Sequence, residues 1–119
     1  MAETRTKTVI DEAAVVAAGV ETYDLNTVGN NALVVEWTVT DATAVGDLGA
    51  TSVKLYAPDG TTLLPTALTP VVVHAAVLVG SVAALVERYD ITGLGKLQLS
   101  VENGAGSARD IRVDITIQG

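Results

Sequence analysis

Cysteine is absent from the 119-residue chain, and histidine occurs only once. Without cysteine the protein can form neither a disulfide framework nor a thiolate metal site, and it suits folding in a reducing cytoplasm. A single histidine cannot supply a metal-binding set, and no Gly-x-Ser-x-Gly nucleophile motif accompanies it. The carboxylates of Asp41, Asp47 and Asp59 match no calcium-loop spacing. The sequence therefore predicts no catalytic residue, no metal, no cofactor and no enzyme activity.

Positive charge is also scarce, because seven Lys and Arg stand against fourteen Asp and Glu, for a net charge of −7. A nucleic-acid-binding protein needs a cationic face that displaces counterions from phosphates. The longest apolar stretch, residues 71–86, is interrupted by His74, Gly80 and Ser81 and is shorter than the ~20 residues of a membrane-spanning helix. The polar N-terminus does not resemble a secretory signal. We therefore expect neither nucleic-acid nor membrane binding.

Aromatic residues make up 3% of the chain, and phenylalanine is missing. Sugar-binding sandwiches usually present an aromatic platform. Here Trp37 lies on a predicted inner strand face, which leaves Tyr56 as the outward-facing aromatic residue of a predicted strand. A glycan- or cell-surface-binding module therefore remains an alternative function without a predicted platform.

Hydrophobic residues, by contrast, form 49% of the sequence, and the mean hydropathy is positive. Small domains have little interior for each residue, so part of this apolar surface is predicted to meet another subunit. The composition favours a protein that works within an assembly.

Period-two alternation of apolar and polar residues is the main structural signal. It runs through residues 33–39, 52–57, 96–102 and 111–118, as expected for strands with one face on a core. Turn residues such as those at positions 57–60 separate the runs. Residues 11–20 fit either a short helix or a kinked strand, and we favour the strand. The chain is predicted to be an all-β, antiparallel β-sandwich, jelly-roll-like, with about eight or nine strands.

An internal repeat aligns residues 21–29 with residues 87–95, and then 33–37 with 97–101 and 52–55 with 110–113. The repeat predicts two similar β-units, as in a jelly roll. Each Asp of a Tyr-Asp pair is expected to accept backbone N–H groups of the turn that follows. The predicted structural corners are Tyr23, Asp24, Gly29, Tyr89, Asp90 and Gly95.

The run at residues 71–79 is apolar at both odd and even positions. Such a strand is either buried on both faces within the domain or packed on one face against a neighbouring subunit. His74, inside the run, is interpreted as a structural or interface residue. The predicted subunit interface comprises Val71, Val73, Ala75, Val77 and Val79.

The first seven residues are mostly polar and carry two of the seven basic side chains, Arg5 and Lys7. One interpretation is a solvated tail. The other is a short N-terminal arm, residues 1–7, that anchors a single β-sandwich domain, residues 8–119, to an acidic protein surface.

Taken together, these features resemble the small jelly-roll cement (decoration) proteins on the capsids of tailed bacteriophages. The resemblance covers most of the chain and rests on the cysteine-free Ala/Val/Thr/Gly-rich composition, the polar N-terminal segment and the duplicated Tyr-Asp-Leu/Ile corner. It implies a viral structural protein, made in the host cytoplasm, that binds the outer capsid surface and stabilises the shell. The implied partners are the major capsid protein and sister copies, in a homo-oligomer for which a trimer is favoured. A phage tail or head-fibre component is an alternative.

Overall fold

The computed structural model describes residues 4–119. This part of the chain forms nine strands: β1 (Thr4–Val15), β2 (Val20–Asn26), β3 (Ala32–Val39), β4 (Leu48–Tyr56), β5 (Leu63–Ala67), β6 (Val72–Val79), β7 (Val82–Asp90), β8 (Lys96–Asn103) and β9 (Arg109–Gln118). A 3-10 helix spans Val45–Asp47 between β3 and β4.

The strands form two antiparallel sheets, which confirms the predicted all-β sandwich. The five-stranded sheet has the order β1-β9-β3-β7-β6, and the four-stranded sheet has the order β2-β8-β4-β5. Four strand pairs are nested in the sequence, each enclosing the next: β1–β9, β2–β8, β3–β7 and β4–β5. This nesting is the jelly-roll arrangement of eight strands. Strand β6 is an addition that extends the five-stranded sheet beyond β7.

The core contains the residues that the alternation pattern placed inward. The side chains of Leu33, Val35, Trp37 and Val39 on β3 are 0% exposed, and the odd-numbered apolar residues of β8 and β9 are buried in the same core. Period two puts alternate side chains on opposite faces, so each sheet contributes one apolar face to this core.

Strand β1 replaces the predicted N-terminal arm and settles the ambiguity of residues 11–20. Residues 4–7 lie within β1 and pair with the end of β9, so residue 7 is not a domain boundary; residues 1–3 lie outside the described residues. Irregularities at residues 8–10 and 12–15 kink the strand, and Ala14 has a φ of 54°. The strand interpretation is thus confirmed for residues 11–15, whereas residues 16–19 form the turn between β1 and β2.

The internal repeat is visible in the strand pairing, although its alignment needs a correction. The units β2–β3–β4 and β7–β8–β9 have equivalent pairings. Leu33 of β3 and Leu97 of β8 are equivalent positions; Leu97 pairs with Leu25 of β2, and Leu33 pairs with Tyr89 of β7. Tyr89 is therefore the counterpart of Leu25, not of Tyr23, and the predicted alignment of residues 21–29 with 87–95 is displaced by two residues. The predicted match of residues 52–55 with 110–113 is displaced as well. Ser52 opposes Ser100 of β8, and Asp114 opposes Glu36, which is the equivalent position of β3. The counterpart of Ser52 is therefore Asp114, not Asp110.

The two corners are built by equivalent side chains once this shift is made. Asn26 accepts the N–H of Val28 at 3.1 Å, and Asp90 accepts the N–H of Thr92 at 3.0 Å. These bonds form Asx-turns at the ends of β2 and β7. Asp24 was predicted to cap the first corner; instead it lies on the outer face of the four-stranded sheet.

The glycines of the corners follow the same correction. Gly29 has a φ of 83° and its counterpart Gly93 a φ of 76°, whereas Gly95 is not in the left-handed region. Gly95 contributes its carbonyl oxygen, which accepts both the N–H (3.0 Å) and the hydroxyl (2.7 Å) of Thr27. Asn31 plays the equivalent part by accepting the N–H of Ile91 at 3.0 Å. Each corner is therefore hydrogen-bonded to the other.

The opposite end of the sandwich is held by a partly buried ion pair. Asp47 accepts the backbone N–H of Thr43 at 2.8 Å and the Nε–H of Arg109 at 3.1 Å. The Thr43 hydrogen bond, followed by that of Arg109, holds the pKa of the Asp47 carboxyl below its ordinary value. This contact joins the β3–β4 loop to the start of β9.

Because the pKa of Asp47 is lower in the folded state than in the unfolded state, the ionised carboxylate stabilises the fold at pH values above its unfolded-state pKa. This stabilisation is lost as the pH falls through the folded-state pKa of Asp47. We expect Asp47→Asn to lower the Tm at about pH 7, and we expect this difference to shrink as the pH falls through the pKa of Asp47 in the folded state. Thermal unfolding followed by circular dichroism checks this. Asp11→Asn, at an exposed position of β1, is the matched control; a Tm difference independent of pH would contradict the role of the charge.

Candidate assembly surface

In the β6–β7 hairpin, strand β6 is exposed along its whole length, whereas β7 contributes to the core. A two-residue turn, Gly80-Ser81, joins the strands between the paired residues Val79 and Val82. Gly80 has a φ of 60°, at the position where a type II′ turn places glycine. The carbonyl of Ser81 accepts the N–H of Ala42 at 2.7 Å, so the tip of the hairpin is fixed to the β3–β4 loop.

All eight residues of β6 are exposed. The five-stranded sheet has one strand more than its partner, and β6 is the additional strand at its edge. The interpretation of residues 71–79 as a strand buried on both faces is therefore wrong. Val77 remains 53% exposed and Val79 72% exposed, values unusual for valines in a regular strand.

A β-bulge in the middle of β6 changes which residues share a face. His74 opposes Val86 and Val77 opposes Ala84, so Ala75 and Ala76 together stand opposite one residue of β7. The predicted interface assumed strict alternation through the odd positions. The bulge separates that set: Val73 lies on the side of the core, whereas Val77 and Val79 lie on the outer face of the sheet.

The outer face of the five-stranded sheet is divided into an apolar and a polar half. The apolar half, called here the hairpin patch, consists of Val72, His74, Val77, Val79, Val82, Ala84 and Val86. In the polar half, Arg112 and Asp114 form an ion pair at 3.2 Å, and Thr8 donates a hydrogen bond to Asp114. The polar half suits contact with water, whereas the hairpin patch suits contact with another apolar surface.

Charge is also absent from this part of the chain. Residues 61–86 contain no Asp, Glu, Lys or Arg, although the whole chain carries a net charge of −7. The segment comprises β5, β6 and the first half of β7. An uncharged, apolar hairpin on an acidic protein can approach another protein with little desolvation of charge.

The hairpin is anchored to the core through Glu87. Its carboxylate accepts the indole N–H of the fully buried Trp37 at 2.8 Å and the hydroxyl of Tyr89 at 3.1 Å. Burial, followed by the nearby Glu87 charge, raises the pKa of the Tyr89 hydroxyl. Because Glu87 opposes Val73 across the hairpin, this network lies directly beside the exposed strand.

The two basic residues predicted to anchor the arm lie at another edge of the molecule. Arg5 and Lys7 oppose Ile117 and Ile115 of β9, on the inner side of β1. Lys7 donates a hydrogen bond to the hydroxyl of Tyr23 at 3.1 Å across the gap between the sheets. The two cations therefore border an exposed groove between β1 and β2.

Tyr56, the outward aromatic residue, belongs to a polar cluster on the four-stranded sheet. Its hydroxyl donates to Asp24 at 2.8 Å and accepts from the amide of Gln98 at 3.0 Å. The ammonium of Lys96 lies 4.5 Å from the centre of the ring. The Asp24 hydrogen bond raises the pKa of the Tyr56 hydroxyl. One ring face is thus taken by Lys96, which leaves less of it for stacking against a sugar.

Within residues 4–119, no group of three or more His, Asp or Glu side chains is arranged to hold a metal ion. The same part of the chain contains no helix long and apolar enough to cross a membrane.

Removal of the Glu87 acceptor tests the anchor of the hairpin. We expect Glu87→Leu to lower the free energy of unfolding by about 1–3 kcal/mol, because the buried indole N–H loses its partner. Glu87→Gln keeps an acceptor oxygen and should cause a smaller loss. Urea unfolding followed by Trp37 fluorescence measures both variants, and wild-type stability of Glu87→Leu would contradict the anchoring role.

Comparisons of the sequence with protein-family models and with curated proteins give no match. Among solved structures, the chain is similar to the SPBc2 prophage-derived protein YomS, with a TM-score of 0.62 and 17% identity over 100% of this chain and 96% of that one. It is also similar to part of BuGH86, solved in complex with neoagarooctaose, with a TM-score of 0.52 and 9% identity; this match covers 99% of this chain and 19% of that one. The likeness shows a shared fold, which in the case of the prophage-derived protein extends over nearly all of both chains.

Proposed function

We propose that this chain is a non-enzymatic structural protein of a tailed-phage particle, which binds the outer capsid surface and reinforces the shell. The observation that carries the proposal is the exposed hairpin patch on an acidic jelly roll. A monomeric soluble protein rarely leaves such a continuous apolar strand uncovered, because the strand would promote aggregation. A partner protein explains its presence.

The full-length likeness to a prophage-derived protein supports a phage origin for this fold. Phage tail or head-fibre components share the requirement for an exposed apolar contact, so they are the alternative locations within a particle. The proposed partners are the major capsid protein and sister copies, and the proposed location is the exterior of the virion.

The mechanism is multivalent attachment. Sister copies contact one another through the β6–β7 hairpin, while the basic edge at Arg5 and Lys7 faces an acidic surface of the capsid. Each contact is modest, but neighbouring sites on a lattice present a high effective concentration to a linked assembly. Reinforcement follows because every copy must detach before the capsid subunits beneath can separate.

Quantitative mass spectrometry of purified phage particles from the source tests the proposal. We expect many copies in a fixed ratio to the major capsid protein, because a lattice-binding protein repeats with the lattice. A few copies per particle would instead indicate a tail or fibre component. Absence from particles would contradict a virion role, and binding on a glycan array would then favour the sugar-binding alternative.

Charge reversal at the basic edge tests the capsid contact. We expect Arg5→Glu to weaken binding to shells that lack this protein by up to about fivefold, the effect of losing one exposed ion pair. Lys54→Glu makes the same charge change on the outer face of the four-stranded sheet and is the matched control. Co-sedimentation with shells gives the affinities, and equal binding of both variants would remove the basic edge from the interface.

A further inference from the structure

The four sheet edges of the described chain differ in how they are protected against pairing with another strand. The β1 edge is charged and irregular, with Asp11 and Glu12 between two register shifts. The β2 edge carries Glu21 and Asp24, and the short β5 contains Pro65. Charges, bulges and prolines are the usual protections of an edge strand. Strand β6 has eight residues without charge or proline, and its one irregularity is the central bulge.

The position of this bulge gives β6 a symmetric arrangement of side chains. Ala75 and Ala76 occupy the middle of Val72–Val79, with three residues on each side. The outer-face residues are Val72 and His74 before the bulge, and Val77 and Val79 after it. Reversing the strand therefore exchanges Val72 with Val79 and His74 with Val77, and every residue keeps its face.

This symmetry allows β6 to pair with an identical strand about its own midpoint. Residues that oppose each other in an antiparallel pair must lie on the same face of the sheet. In a regular strand, residues 72 and 79 lie on opposite faces because they differ by an odd number of positions. The extra residue of the bulge removes this conflict and places both on the outer face.

We propose that β6 pairs antiparallel with β6 of a second copy across a two-fold axis, so that the two five-stranded sheets become one continuous sheet. Val72 then opposes Val79 of the second copy, Val73 opposes Leu78, and His74 opposes Val77. The small residues Ala75 and Ala76 lie at the axis, where the two bulges meet. The hairpin patches of both copies join into one apolar surface on the outer face.

Charge favours a second copy as the occupant of this edge. Two chains that each carry a net charge of −7 repel each other, so a contact between them is most favourable where charge is absent. The uncharged segment 61–86 contains the whole of β6. The contact is isologous, because the same strand serves both copies and closes the pair.

The inference deepens the proposed contact between sister copies and is tested on the isolated full-length chain. A failure of self-association is therefore distinguishable from absence of the protein in virions. Sedimentation velocity over a range of concentrations should show a monomer–dimer equilibrium for the wild type. A wild type that stays monomeric at all accessible concentrations, or forms a trimer, would overturn the two-fold pairing.

Cysteine cross-linking tests the register, because the chain has no thiol of its own. Opposed residues of an antiparallel pair have Cα atoms about 4.5–5.5 Å apart, within reach of a disulfide. Under mild oxidation, a mixture of the Val72→Cys and Val79→Cys chains should yield a cross-linked dimer. Each variant alone should not, since seven residues of strand separate like positions by about 23 Å. Equal cross-linking in the separate preparations would overturn the register.

Charge placement tests the surface itself. Val72→Asp combined with Val79→Asp should raise the dimer dissociation constant by about tenfold, because the proposed register places like charges directly opposite each other at two points. Val20→Asp combined with Thr22→Asp adds the same charges to the β2 edge and should leave dimerisation unchanged. All four positions are exposed, so circular dichroism spectra should match that of the wild type. Unchanged association of the Val72→Asp/Val79→Asp variant would overturn the proposed pairing.

Discussion

An exchange of central strands holds the two sheets together. Strand β3 belongs to the first three-strand unit but lies between β7 and β9, whereas β8 belongs to the second unit and lies between β2 and β4. Each unit therefore completes its hydrogen-bonded ladders only with strands of the other, and the shared core needs both. The exchange also determines the edges, which are β1 and β6 in one sheet and β2 and β5 in the other. The exposed hairpin arises because a ninth strand is added to an eight-strand nest.

The sequence alone predicts the strands and the core residues, because period two is a local pattern that each strand repeats. Leu33, Val35 and Trp37 were placed inward on this basis, and they are fully buried. The same pattern could not align the two units correctly. A shift of two residues keeps every side chain on its face, so Tyr23 and Tyr89 match in pattern although they occupy different positions along their strands. Only the cross-strand pairing distinguishes the two alignments.

Other features depend on contacts between distant segments and gave a weak signal or none. Asn103 is 1% exposed and donates to the carbonyls of Val15, at 2.9 Å, and Ser107, at 2.9 Å, thereby joining the β1–β2 turn to the β8–β9 loop. In the sequence, the buried role of Asn103 was indicated only by its position, which is the next inward-facing one after Val101. The bulge at Ala75 and Ala76 has no signal in the sequence of β6, because a bulge is defined by the pairing with β7.

The bulge also bears on how an exposed apolar edge can avoid indiscriminate strand pairing. A regular edge strand without charge accepts many partners and many registers, which is the property that leads to aggregation. The central bulge restricts the registers in which β6 can pair with an identical strand. Residues along the whole strand oppose residues of the same face when the bulges of the two copies lie opposite each other. Such a contact occupies the β6 edge of both copies and leaves their β1 edges, with Asp11 and Glu12, at the two ends of the joined sheet. Since those ends are charged and kinked, the sheet has no comparable edge through which to continue growing.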